Sequence, residues 1–128
     1  MNTKLLMAAS AIVLAALGLA ATFMPEELLH VAAVPAHPFL PLVVQLLGAL
    51  YLSFAMLNWM AKDSAIGGIY NHPVLIGNVL HFTMGALALL KGLTGVPSDR
   101  LALGVLAGVY ALFAIGFGML LFRSPKPK

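Results

Sequence analysis

Cysteine is absent from the 128 residues, so no disulfide framework, thiol nucleophile or iron-sulfur ligation is available. Charge is almost as scarce. Seven Lys plus Arg and four Asp plus Glu make up 9% of the chain, where a water-soluble domain carries about 25% to keep its surface wet. This shortage argues against a soluble enzyme. It also argues against nucleic-acid binding: the pI near 9.5 arises from few charges of either sign. Three of the cations, Arg123, Lys126 and Lys128, lie in the last six residues, where they suit anionic lipid headgroups.

What the chain does have is apolar length. Hydrophobic residues make up 62% of it, with a mean hydropathy of +1.02. Uncharged apolar runs cover Leu5 to Met24, Phe39 to Ala61, Val74 to Leu90 and Leu101 to Phe122, each near or above the roughly 20 residues needed to cross a bilayer. The breaks between them collect Pro25-Glu26-Glu27, Pro35, Pro38 and Pro41, then Lys62-Asp63, Gly67-Gly68 and His72-Pro73, then Lys91, Pro97, Asp99 and Arg100. Backbone in hydrocarbon must satisfy its own hydrogen bonds, so runs of this length are helices, and a barrel would show shorter alternating segments. The expectation is an all-α fold: an antiparallel four-helix transmembrane bundle forming a single domain over 1–128, with spans at about 5–24, 39–61, 73–92 and 101–122. A short interfacial helix is expected between Pro25 and Val34, with Pro at its first position and two acids in its first turn.

The first span also has features of a cleavable leader. Lys4 precedes the apolar stretch, and Gly18-Leu19-Ala20 offers small residues. The run continues to Met24, nearer a full span than a leader core, and predicts retention. Orientation follows from the cations. With the amino terminus inside, Lys4, Lys62, Arg123, Lys126 and Lys128 face the cytoplasm and only Lys91 and Arg100 lie outside. A bacterial inner membrane protein with both termini cytoplasmic is expected, with Trp59 and Tyr70 as anchors at the inner interface and Lys91 snorkelling from a helix end. Tyr51-Leu-Ser-Phe54-Ala55 faintly echoes Tyr110-Ala-Leu-Phe113-Ala114, a match short enough to arise by chance.

Helices in lipid associate through close packing at small residues and interhelical hydrogen bonds. At about 100° per residue, Ala8, Ala11, Ala15, Gly18 and Thr22 share one face of the first helix. Gly77, His81, Gly85, Ala88 and Gly92 do so on the third, and Gly104, Ala107, Ala111, Ala114 and Gly118 on the fourth. On the second, Gly48 and Ala55 are flanked by Tyr51 and Asn58 on one side and Gln45 on the other. These stripes are the expected core.

Polar side chains inside such runs are costly and should turn inward to partners. His81 lies roughly nine residues from the inner end of its helix, about 13 Å deep at 1.5 Å per residue, with Asn78 one turn earlier. Tyr51 and Tyr110 reach a similar depth, and Asn58 enters from the inner boundary. His81, Asn78, Asn58, Tyr51, Tyr110 and Gln45 are therefore the candidate ligand-binding residues, suited to orienting a small polar head beside an apolar tail. The competing reading is that these groups only hydrogen-bond one another and fix register. Ser53 points elsewhere and is expected to bond its own helix backbone.

No carboxylate inside a span can act as base, orient the imidazole or carry a proton, which argues against catalysis and against a proton-coupled antiporter. A membrane enzyme using His81 on a lipid-like substrate, or a small transporter, remains the alternative. Haem fits poorly within one chain. His72 and His81 lie about 180° apart on one helix, and His30 and His37 belong to the outer connection, although two copies of the chain could pair their His81 rings. Glu26, His30 and His37 form a weak metal-ligating pattern at the outer surface. The cofactor is left unknown. The expected partners are the lipid bilayer, a lipophilic ligand, and a membrane-protein partner or second copy.

Overall fold

Each apolar run closes into helix, as hydrocarbon-soluble backbone must. A computed structural model describes residues 2–64, 71–95 and 100–123. Among them the elements are α1 (Thr3–Phe23), α2 (Pro25–Val31), α3 (Leu40–Ala61), α4 (His72–Gly95) and α5 (Arg100–Leu121). The fold class is all-α, and α1, α3, α4 and α5 are each long and apolar enough to cross a membrane. Their ends fall within two residues of the apolar runs, except that α4 continues past Leu90 and through Lys91 to Gly95. Gly67, Gly68, Tyr70, Pro97, Asp99, Lys126 and Lys128, to which turn, anchoring and charge roles are assigned above, lie outside the described residues.

Local chemistry sets the helix ends. Asn2 Oδ1 accepts the backbone N–H groups of Lys4 and Leu5 at 3.1 and 3.4 Å, capping α1 as a short polar side chain does. Pro25 opens α2, with Glu26 and Glu27 in its first turn, as expected for the interfacial helix. His72 and Pro73, placed above in the break between two apolar runs, are instead the first two residues of α4. The missing N–H of proline costs nothing in a first turn. α2 ends with Ala33 at φ 53°. The Ala33 N–H donates to His30 O and the Val34 N–H to Leu29 O, both at 3.0 Å, which is the Schellman pattern that folds the chain back over the helix it has left.

The chain divides into two compact units, one of Met7–Met60 and one of Met1–Leu6 with Ala61–Lys128. In the first, α1 and α3 approach closely at Gly18 and Gly48. A Cβ on Gly48 would lie 2.5 Å from Thr22 Oγ1, 2.8 Å from Thr22 N and 2.9 Å from Gly18 O. One on Gly18 would lie 2.8 Å from Leu52 Cγ and 3.0 Å from Gly48 O. Only glycine permits backbones this near. The buried residues of α1 include Ala11 and Gly18 of the expected stripe, with Ser10 and Leu14 beside them. On α3, Gly48, Ala55 and Asn58 are buried as expected.

In the second unit α4 packs on α5, and the expected stripe is not the buried face. Leu75, Asn78, Phe82 and Ala86 are buried on α4, while Gly77, His81 and Gly85 are half-buried and Ala88 is exposed. The reason is aromatic. Phe82, fully buried, stacks on Phe117 with centroids 5.6 Å apart and meets Phe113 at 4.9 Å and Tyr110 edge-on at 5.2 Å. Aromatic rings in such geometries gain more than an alanine stripe offers. On α5, Ala107, Tyr110, Gly116, Phe117 and Leu120 are buried, and Gly104, Gly108 and Gly118 have open space where a Cβ would stand. Gly116 lies against Leu6, whose Cδ1 would be 2.9 Å from an added Cβ.

An ion cluster holds the end of α3 to the start of α1. Lys4 Nζ is 2.6 Å from Asp63 Oδ1, and Lys62 Nζ is 3.2 Å from Asp63 Oδ2. These two ammonium groups, Lys4 foremost, hold the Asp63 carboxyl below the ordinary aspartate value. Outward faces are apolar: Leu50, Met60, Leu80, Met84, Leu101 and Leu112 are all exposed, which is the composition a helix needs against lipid tails.

Candidate functional site

His81 and Tyr110 are brought together. The Tyr110 hydroxyl and His81 Nε2 are 3.3 Å apart and hydrogen-bonded, the direction being set by the ring tautomer. The rings lie 5.5 Å apart, tilted by 49°, and His81 also meets Phe82 edge-on at 5.0 Å. Gly85 makes the approach possible, since a Cβ there would fall 2.5 Å from Tyr110 Cε1. Tyr110 is buried and His81 half-buried, so the imidazole forms the accessible member of the pair. Asn78, one turn before His81, is fully buried and donates from Nδ2 to Val74 O at 2.8 Å, satisfying part of its amide on its own helix.

The other three candidates belong to the unit of α1 and α3. Asn58, fully buried, donates from Nδ2 to Ser10 Oγ at 2.9 Å, and Ser10 Oγ donates to Met7 O at 2.9 Å. This chain of donors fixes the register of α1 against α3. Gln45 is exposed and donates to Thr22 O at 3.4 Å, beside the Gly18–Gly48 approach. Tyr51 is half-buried on α3. Ser53 donates to Ala49 O at 2.9 Å, the backbone bond expected of it. A shallow apolar groove of about 220 Å³ runs along this unit, floored by Ala11, Ala15 and Ala55 and flanked by Leu52, Met56 and Trp59.

Two residues were not singled out from sequence. Ser10 carries the bond to Asn58, and its signal was a hydroxyl within the alanine-rich face of α1. Phe82 is the hub of the aromatic cluster, and its signal was the 0, +3, +7 spacing of Tyr110, Phe113 and Phe117 on the facing helix.

Glu26, His30 and His37 line one open cleft of about 780 Å³ between α2 and the proline-rich return. They do not close on a common point: among the described residues no group of three or more His, Cys, Asp or Glu side chains is placed to hold a metal ion. His37 Nδ1 accepts the Phe39 N–H at 3.2 Å.

Chemically, the pair of His81 and Tyr110 brings an imidazole and a phenol into one hydrogen bond. The charged side chains within the four long helices are Lys4, Lys91 and Arg100, all at or near helix ends. Compared with protein-family models, curated proteins and solved structures, the chain matches none.

Proposed function

We propose that this chain is a small, non-catalytic multi-pass membrane protein that binds a lipophilic small molecule, with His81 and Tyr110 orienting its polar end. The carrying observation is the hydrogen-bonded imidazole and phenol midway along apolar helices. Polar groups at that depth are expensive unless used. The ring is half-buried, and Gly85 and the Phe82 cluster fix the pair in place. Asn78, Asn58, Tyr51 and Gln45 serve chiefly to support helix register in this reading.

The setting is a bacterial inner membrane with both termini cytoplasmic. The excess of cations at Lys4, Lys62 and Arg123 supports it, as does the ion cluster joining Lys4 and Lys62 through Asp63 at one end of the helices.

The test is native mass spectrometry of the full chain released from membranes in mild detergent. Wild type should carry a lipophilic adduct, Tyr110→Phe should weaken it about tenfold by removing one hydroxyl in hydrocarbon, and His81→Ala should abolish it. Equal occupancy in all three overturns the reading. A second reading, an accessory subunit or self-associating chain, is favoured by Gly104 and Gly108. They sit one turn apart on α5 with open space beside them, a spacing that lets apolar helices approach.

A further inference from the structure

The cleft at the connection between α1 and α3 is a second place with chemistry, independent of His81. α1 ends at Phe23 and α3 begins at Leu40, so residues 24–39 join the same ends of two membrane-length helices and sit at headgroup depth. The cleft's volume, about 780 Å³, falls within the range of roughly 300–1,000 Å³ typical of small-ligand sites. One wall is α2. The opposite wall is the segment carrying His37, stiffened by Pro35, Pro38 and Pro41, each with a fixed φ. The Schellman turn at Ala33 folds this wall back over Leu29.

Its lining narrows the ligand. Among the described residues Glu26 is the one carboxylate lining the cleft and no Lys or Arg lines it, so a purely anionic group finds no counter-charge there. No Trp, Tyr or Phe among the described residues lines it either, so a quaternary ammonium would find no aromatic face from them. The three metal-type donors do not converge. What is present is a carboxylate acceptor, two imidazoles and an apolar remainder. Because His37 Nδ1 already accepts the Phe39 N–H, its proton sits on Nε2, which is therefore a donor. A primary ammonium suits Glu26, and an adjoining phosphate oxygen suits the His37 Nε2–H and His30.

We propose that this cleft binds a primary-amine phosphate zwitterion: an aminoethyl phosphate head, with its glycerol end against Leu29 and Val34. The same chemistry occurs in an ethanolamine phospholipid and in free glycerophosphoethanolamine.

The test uses the full chain in nanodiscs containing phosphatidylglycerol with either phosphatidylethanolamine or phosphatidylcholine, with retained lipid counted by native mass spectrometry after release. Wild type should retain the ethanolamine lipid roughly tenfold over the choline lipid, the size of one exposed charge-assisted hydrogen bond. Glu26→Gln, an exposed and nearly isosteric change, should reduce that ratio to near one. His37→Gln should lower retention of the ethanolamine lipid without changing the helical circular dichroism. Displacement of the lipid by soluble glycerophosphoethanolamine supports recognition of the head alone. Failure to displace it supports recognition of the intact lipid. No preference in wild type, or a preference unchanged in both variants, overturns the proposal. His81→Ala should leave the ratio unaltered, which separates this site from the one proposed above.

Discussion

At the scale of single residues, Asp63 shows how few charges this chain uses and how fully it uses them. Its carboxyl lies between Lys4 and Lys62, and both favour the ionised form. A folded-state value held below the unfolded one contributes stability that is complete above the unfolded value and lost as pH falls through the folded one. The Asp63 carboxyl, followed by NMR in detergent, should therefore titrate with a midpoint below the ordinary 3.8, and Lys4→Ala should raise that midpoint. A midpoint at or above the ordinary value in wild type would contradict the cluster. Polar identity was legible at this scale because polarity in an apolar run stands out, and His81, Tyr110 and Asn58 were all visible that way. Their partners were not. Ser10 is unremarkable among alanines, and whether His81 meets Tyr110 depends on how α4 and α5 are rotated against each other, which sequence period leaves open.

Among elements, the pairing of α1 with α3 depends on backbone contact. A methyl group on Gly48 would meet Thr22 N and Gly18 O, atoms that cannot swing aside as a side-chain end can. Gly48→Ala should therefore lower the thermal midpoint of the detergent-solubilised chain, with a cost of about 1–3 kcal/mol expected of an overpacked contact. Gly104→Ala, where the space is open, should be neutral or gain up to about 1 kcal/mol from helix propensity. Similar melting of the two variants would count against the close approach. Helix existence was legible because length and absence of charge decide it, and the bounds were too except on α4, which takes in His72 and Pro73 and runs through Lys91 to Gly95. The inward face of α4 was not. Small residues mark where helices can approach, but Phe82 and its three aromatic neighbours took the burial, and the small stripe was left at the edge.

For the whole molecule, the four apolar crossings were evident in composition, whereas the division into two units was not, because which helices pair is a matter of three-dimensional contact. Side assignment can be measured directly, since a chain without native cysteine accepts single reporter thiols. Asn2→Cys and Ser64→Cys should react with a membrane-impermeant maleimide only after the cytoplasmic face is opened, and Ala36→Cys should react in intact cells. Asn2 and Ser64 reporting from opposite faces would refute both the orientation and the Lys4–Asp63 pair.

Leu6 rests against Gly116, and this sets an order on biosynthesis. Leu6 is made long before Gly116, so the contact has to wait until α3, α4 and most of α5 have also been translated. Until then that leucine lacks the glycine it will rest on, and this seam closes only after the helices made between the two.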